Sequence, residues 1–363
     1  MAVPIRARVC WKEVIRFATD CLVSVGSPRK AAEQVADLLV EADKIGHRSH
    51  GLNRIGRYIR DIKTGRCCPN NKPEVIKETV STAWGNSNNV LGATSAHFGA
   101  DIAIKKAKQT GIGWVCMKGS NHYGIGGYWA TKISNAGLIG MTFTNGSPLV
   151  APTRGTKAAL GSNPIAVSAP GLPSTGPFYL DIATATVALG KIEMCRRKGI
   201  KLAHGWAVGP DGKETLDPDL VMKSGSLMPL GGGETTAGYK GFGLSALVDI
   251  FSGLMAGANY AHHVPRWTRT GRVAANIGQT FVAIDHKSFT PDFEERISDC
   301  IKYWRQMKPS EPGKPVLAPG DLEKVSSAEV KKTGTVSYIV NTLNNCDIIA
   351  KDLKVKPIER CKE

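Results

Sequence analysis

The chain has 363 residues, 42% of them hydrophobic and 21% charged, a balance that fits a globular protein with length for more than one core. Its net charge of +16 admits a polyanion partner, but the basic residues are dispersed, and short clusters such as CRRKGIK (195–201) lack interleaved aromatics, so neither nucleic acid nor a membrane surface is the expected partner. No apolar run approaches the ~20 residues that span a bilayer, and the first residues lack the apolar core of a secretory signal.

The apolar positions in 10–25 and 28–46 recur at helical spacing, and Ser27-Pro28 fits a cap followed by a first-turn proline. A third helix is predicted over 48–63, ended by Gly65. From about 74 the pattern changes to short alternating units. EVIKETV reads as a strand, TSAHFGADIAIKKAKQT as an amphipathic helix, IGWVCM as a buried strand, YWATKISNAG as a helix and LIGMTFTN as a strand. PIAVSAPG and PFYLDIAT are two more strands, VALGKIEMCRRKG is a helix, and GYKGFGLSALVDIFSGLMAGA is an apolar helix opened by glycines. GQTFVAID is a strand, 291–308 is helical, and four prolines then make a loop before a last helical region. The layout is helical ends around a mixed α/β middle.

The nine cysteines are odd in number and scattered, and Cys67-Cys68 has no second pair at zinc-site spacing. They read as reduced thiols in a cytoplasmic setting, with no metal site. A helical pattern containing Glu13 begins almost at once, leaving little for a transit peptide.

The dinucleotide fingerprint G-x-G-x-x-G is absent, as are Walker A, G-x-S-x-G and H-E-x-x-H sequences. What remains is a set of glycine-punctuated polar motifs. In 41–58, a helix would place His50, Arg54 and Tyr58 at i, i+4 and i+8 on one face. A guanidinium fork there suits a small carboxylate, although a solvated helix face would read the same way. His122 lies between a strand and a helix with Gly119 and Gly124 on either side, and its ordinary pKa of roughly 6.5 suits reversible proton transfer. A turn histidine satisfied by local hydrogen bonds is the plain alternative. The stretch 144–171 is too rich in Gly, Pro, Asn and Ser for packed structure and too poor in charge for an ordinary surface loop, which is the character of a binding loop. The Thr-rich strand-to-helix junction in 179–193 and Lys240 in GYKGFG, at a helix start, are places where phosphate would be held.

Taken in order, these motifs resemble the malate/L-lactate dehydrogenase family of the second type, which also includes ureidoglycolate, sulfolactate and Δ1-piperideine-2-carboxylate reducing enzymes. Seven blocks carry the resemblance over nearly the whole chain: EADKIGHRSHGLNRIGRYIRDIKTG, GSNHYGIGGYWA, TNGSPLVAPTRG, LGSNPIAVSAPG, LDIATATVALGKIE, GYKGFGL and NIGQTFVAID. The resemblance implies an α/β fold with a non-Rossmann NAD(P)-binding mixed sheet and helical N- and C-terminal segments. It divides the chain into an N-terminal segment 1–72 with substrate-side residues, a cofactor-binding and catalytic region 73–284, and a C-terminal segment 285–363 packed with the first. It also implies a cytoplasmic homodimer that moves a hydride between NAD or NADP and a small 2-hydroxy or 2-oxo acid, with malate and lactate foremost.

By the same resemblance the acid/base histidine falls on His122 and the substrate-side pattern on Ser49, His50, Arg54 and Tyr58. The cofactor contacts fall near Ser147, on Asp181, Ile182 and Ala183, on Lys240, and on Asn276, Ile277 and Gly278. Ile45 stands where many members have arginine, and Gly146 and Ser162 also depart from the family pattern. The first departure bears on substrate shape and the others on the cofactor loop. A polyanion-binding protein, suggested by the +16 charge, is the reading from another class.

Overall fold

The computed structural model describes residues 6–266 and 273–361. Strand β1 (Arg6–Cys10) and helices α1 (Trp11–Ser24) and α2 (Arg29–Lys44) open the chain; two 3-10 turns, Arg48–His50 and Leu52–Arg54, then lead into α3 (Ile55–Lys63). There follow β2 (Glu74–Glu78), β3 (Thr82–Asn86), α4 (Gly92–Thr110), β4 (Ile112–Ser120), α5 (Gly126–Ser134), β5 (Ile139–Thr144), β6 (Ile165–Ala169) and β7 (Phe178–Ile182). Next come α6 (Leu189–Lys198), β8 (Ala207–Val208), α7 (Pro218–Ser224), β9 (Ser226–Leu227) and α8 (Gly238–Asp249), which runs into a π turn at Ile250–Leu254. The chain closes with β10 (Ile277–Ile284), α9 (Phe293–Gln306), α10 (Asp321–Thr333), β11 (Thr335–Ile339) and α11 (Val340–Leu353).

Seven strands form one mixed sheet in the order β2-β3-β4-β10-β5-β6-β7, in which β3 and β4 are parallel and the other neighbours antiparallel. β10 is central, and seven of its eight residues are buried, which is why GQTFVAID is apolar without alternation. Helices α4 and α5 and the π turn all pack against the sheet. The main core joins Phe17, Leu38, Leu39, Ile55, Trp129, Phe281 and Leu343, so the two ends of the chain and the sheet share one interior. Each such side chain contributes about 1.5–3 kcal/mol by leaving water. A second, smaller core of Val150, Val187, Ile192, Ala207, Val221 and Leu227 lies under the 149–227 region.

The structure differs from the pattern reading in a few places. The chain ends are not purely helical: β1 pairs antiparallel with β11, and the Cys361 amide donates to Arg8 O at 2.8 Å. The stretch 48–63 is not one helix. The carboxylate of Asp43, at the end of α2, accepts the Leu52 amide (2.8 Å) and the Tyr338 hydroxyl (2.7 Å), which pins the chain where an α-helix would have continued. A Cβ at Gly51 would lie 1.8 Å from Asp43 Oδ1, so glycine is required at that crossing. Burial raises the Asp43 carboxyl to about 7 despite those two hydrogen bonds.

Candidate active site

Tyr58 and His122 meet although they come from different parts of the chain. Tyr58 is buried on the inner face of α3, and its hydroxyl lies 2.7 Å from His122 Nδ1. His122 occupies the short connection between β4 and α5. The sharp turn there has Gly119 and Gly124 at φ +66° and +79°, left-handed values that favour glycine. A Cβ at Gly92 would lie 2.1 Å from the His122 carbonyl oxygen, so the start of α4 also closes tightly on this turn. Asn121 braces it: its Nδ2 donates to Val90 O (2.8 Å) and Asn89 Oδ1 (2.9 Å), and its carbonyl accepts from Gln279 Nε2 (3.0 Å).

The Gly124 amide donates to His122 Nδ1 at 3.3 Å. An amide can only donate, so this contact favours the tautomer with its hydrogen on Nε2. The Tyr58 hydroxyl gives or takes a hydrogen and therefore serves both tautomers. The His50 ring stacks on His122 with centroids 5.6 Å apart and planes 14° apart, and His50 Nδ1 lies 2.9 Å from Ser49 Oγ. Arg54 Nε donates to Ser49 O at 2.6 Å, which fixes the guanidinium beside the pair. Burial, then His50 and Arg54, hold the His122 pKa well below its ordinary value. Burial and the Arg54 charge likewise lower His50 to about 4, and burial raises the Tyr58 phenol. The structure thus brings together His50, Arg54, Tyr58 and His122, even though the first two sit on 3-10 turns rather than on a helix face.

Tyr58 and His122 border an open cleft, with His50 and Arg54 behind them. Tyr58, Asp61, Arg66, Cys67, Asn121 and His122 line it from one set of segments, and Thr144–Ser147, Val264, Pro265, Ala275 and Ile277 from another. Ser147 Oγ donates to Pro265 O at 2.8 Å. Asn276 has φ +45°, and its Oδ1 accepts the Gly119 amide at 2.9 Å, tying this wall to the turn of His122. Asn145 fastens the same wall: its Oδ1 accepts the Gly278 amide (2.9 Å) and its Nδ2 donates to Asp249 Oδ1 (3.0 Å). Ser147 and Ile277 therefore line this cleft, and Asn276 and Gly278 are tied beside it through Gly119 and Asn145.

The other predicted cofactor residues stand apart from it. Asp181 lies on the edge strand β7, where its Oδ2 accepts the Gly127 amide at the start of α5 (2.8 Å), with His47 Nδ1 at 4.0 Å. His47 Nε2 in turn lies 3.1 Å from Glu323 of α10. Burial raises the Asp181 carboxyl. Ile182 ends β7 and Ala183 follows it, both half-buried, and Lys240 is exposed in the first turn of α8; none of these lines the His122 cleft. The pattern reading missed Asp43, Asn121, Asn145, Asp249 and Arg66. Asp43, Asn121 and Asn145 stood inside quoted motifs, whereas a lone Arg66 gives no signal until the chain folds. Among the described residues no cluster of His, Cys, Asp or Glu could hold a metal ion, and no helix is long and apolar enough to cross a membrane.

The family model described as malate/L-lactate dehydrogenase matches residues 9–345. The chain is 37% identical to a malate dehydrogenase of Pyrococcus abyssi, over 97% of this chain and 96% of that one. It is 36% identical to a malate/(S)-sulfolactate dehydrogenase of Methanothermus fervidus, over 86% of this chain and 88% of that one. The solved malate dehydrogenase of Pyrococcus horikoshii OT3 superimposes with a TM-score of 0.89 and 34% identity, covering 98% of this chain and 99% of that one.

Proposed function

Because the chain belongs to the malate/L-lactate dehydrogenase family, we propose that it is an NAD(P)-dependent 2-hydroxyacid dehydrogenase of malate type, with His122 as its acid and base. The observation that carries the role of His122 is the 2.7 Å contact between Tyr58 and His122 Nδ1 at the edge of the cleft.

The residues present fit a nicotinamide. One wall is neutral and rich in backbone, and a Cβ at Gly146 would meet nothing within 4 Å, so there is open room above that peptide. Ser147, Asn276, Ile277 and Gly278 would hold the ring end, and Ile182, Ala183 and Lys240 the remoter parts. The Asp181 carboxylate is engaged by Gly127, so Asp181 would contribute through its backbone. When bound, the cofactor supplies the two-electron hydride chemistry.

The chain's own residues manage the proton and the substrate. His122 Nε2 would pass a proton to the carbonyl oxygen of a 2-oxo acid, or take it from the hydroxyl in reverse. To act as base the ring would shift from the tautomer that the Gly124 amide favours to the one with its hydrogen on Nδ1, donated to the Tyr58 oxygen, which would free the Nε2 lone pair for the substrate. Burial and the nearby cation hold the imidazole neutral, which suits oxidation. An incoming carboxylate adds the negative charge that raises proton affinity for reduction. Arg54, anchored through Nε on Ser49 O, would grip the 1-carboxylate, and His50 and Tyr58 would keep His122 in register.

The three-part division at 1–72, 73–284 and 285–363 is supported by the β1–β11 ribbon, which joins the two ends; residues 1–5 and 362–363 of those segments lie outside the described residues. A homodimer is supported by the outer face of α8 and its π turn, where Leu244, Leu247, Ile250, Leu254 and Met255 are exposed together. The cytoplasm is the proposed setting, and none of the nine cysteines is in a disulfide. The test is to mix the protein with NADH or NADPH and a panel of 2-oxo acids and follow loss of the reduced cofactor. Turnover of oxaloacetate with either cofactor is the expected result; no turnover of any acid refutes the reading.

A further inference from the structure

Beyond Tyr58, α3 delivers a group of charges to the cleft that the mechanism above does not use. Asp61 lies one turn after Tyr58 and, like it, lines the cleft that contains His122. The chain leaves α3 through Gly65, whose φ of +70° reverses its direction, and the Cys67 amide closes the turn on Asp61 O at 3.0 Å. This brings Arg66 back along the helix end into the same cleft, where it is only 6% exposed. Arg57 approaches Asp61 from the groove between α3 and α11, with Nε 3.2 Å from Oδ1. Arg66 Nε stands 3.9 Å from that same oxygen, beyond hydrogen-bond length. Two guanidiniums thus approach one carboxylate, and the one that lines the cleft with His122 is Arg66.

A buried guanidinium is costly to desolvate and gives little stability even when paired. The same cation is useful where an anion arrives in a low-dielectric cleft, because its planar fork matches a carboxylate or sulfonate. Arg54, whose charge acts on His122, stands on the opposite side of Tyr58 along the chain, while Arg66 lines the cleft itself, so two separate arginines serve the histidine's surroundings. We propose that Arg66 is a specificity-determining residue, which recognises a second acidic group on C3 of the 2-oxo acid, while Arg54 holds the first. This rests on the functional reading above and adds to it the class of substrate: a dicarboxylate, or a carboxylate with a sulfonate.

The experiment compares oxaloacetate, 3-sulfopyruvate and pyruvate as substrates for the parent protein, Arg66→Gln and Arg66→Lys, with thermal melts on each. The parent is expected to prefer the two acids with a second anionic group. Arg66→Gln should lower kcat/KM for those two by roughly 10- to 100-fold, the loss of one charge-assisted contact. Pyruvate should change by less than about threefold. Arg66→Lys keeps the charge and should fall between them; it carries the test should Arg66→Gln fail to fold. Equal losses on all three acids, no loss on any, or a parent that favours pyruvate would overturn the role of Arg66 and leave the dehydrogenase reading standing. A parent that reduces none of them with either cofactor overturns the functional reading, and this inference with it.

Discussion

The segment 48–66, which reaches the cleft through Tyr58, Asp61 and Arg66, and the opposite wall of residues 144–147, Val264, Pro265, Ala275 and Ile277 are built on different principles. The first is made of ionisable side chains braced against one another: His50 on Ser49 and His122, Arg54 on the Ser49 carbonyl, Tyr58 on His122, Arg66 near Asp61. The second is made of small residues whose backbone is fastened by Asn145 and Asn276. A wall of charges suits a substrate that arrives as an anion and exchanges a proton. A neutral backbone wall suits a flat ring that must approach closely. On the proposed reading, proton and charge belong to the first wall and the cofactor to the second, and variants in each should fail in different ways.

The largest effect is expected at His122. Replacement with alanine should lower kcat by roughly 10²- to 10⁴-fold while leaving cofactor affinity intact, because general acid–base catalysis is worth that much. Fluorescence titration with NADH and NADPH beside steady-state kinetics separates the two quantities; loss of cofactor binding would blur the distinction between the walls.

Arg54→Lys comes next. It keeps the charge and loses the fork, and should reduce kcat/KM by about 10- to 100-fold with little change in cofactor Kd. Parent-like kinetics would remove Arg54 from the carboxylate site.

The charged wall also carries a pH signature. His50 is held at about 4 in the fold, against an ordinary 6.5. Between those values the unfolded chain takes up a proton that the folded chain refuses, so stability falls as pH drops through that window. Asp43, raised to about 7 from 3.8, runs the other way, because the folded state keeps the proton and gains stability as pH falls below 7. His50→Gln should therefore lose less stability than the parent on going from about pH 7 to about pH 5, by on the order of 1 kcal/mol. Melting curves at the two pH values check this, and parallel shifts would contradict it.

The smallest effect is expected at Lys240, which is exposed. Lys240→Ala should weaken cofactor binding by roughly two- to fivefold, the worth of a solvent-exposed charge contact, and leave substrate KM alone. An unchanged titration would exclude Lys240 from the cofactor site.

How far these walls were legible in the sequence follows from how local each one is. Helices α1 and α2 and strand β10 announced themselves through periodicity and apolar runs, because their burial is set by their own residues. His122 stood out because glycines flank it in sequence. The turns at 48–54 were hidden, since the carboxylate that replaces helical hydrogen bonds there belongs to Asp43 on another element. β1 and β11 were hidden for the same reason: each becomes a strand only by meeting the other from the opposite end of the chain. Cys67-Cys68 read as reduced thiols with no metal site, and the informative neighbour is Arg66, a single residue with no motif around it. Asp181 came from the resemblance, and only the fold shows its carboxylate committed to the Gly127 amide.

The division of labour between the two walls is tested most directly by following the hydrogen atoms. The protein is given a 2-oxo acid and reduced nicotinamide dinucleotide deuterated at ring C4 in ordinary water, and the reverse labelling uses unlabelled cofactor in heavy water. The account predicts a 2-hydroxy acid with deuterium on C2 in the first experiment and none on C2 in the second, since the hydride comes from the cofactor and only the hydroxyl proton from His122 and solvent. A product whose C2 hydrogen derives from water, or no product with either cofactor, would contradict it.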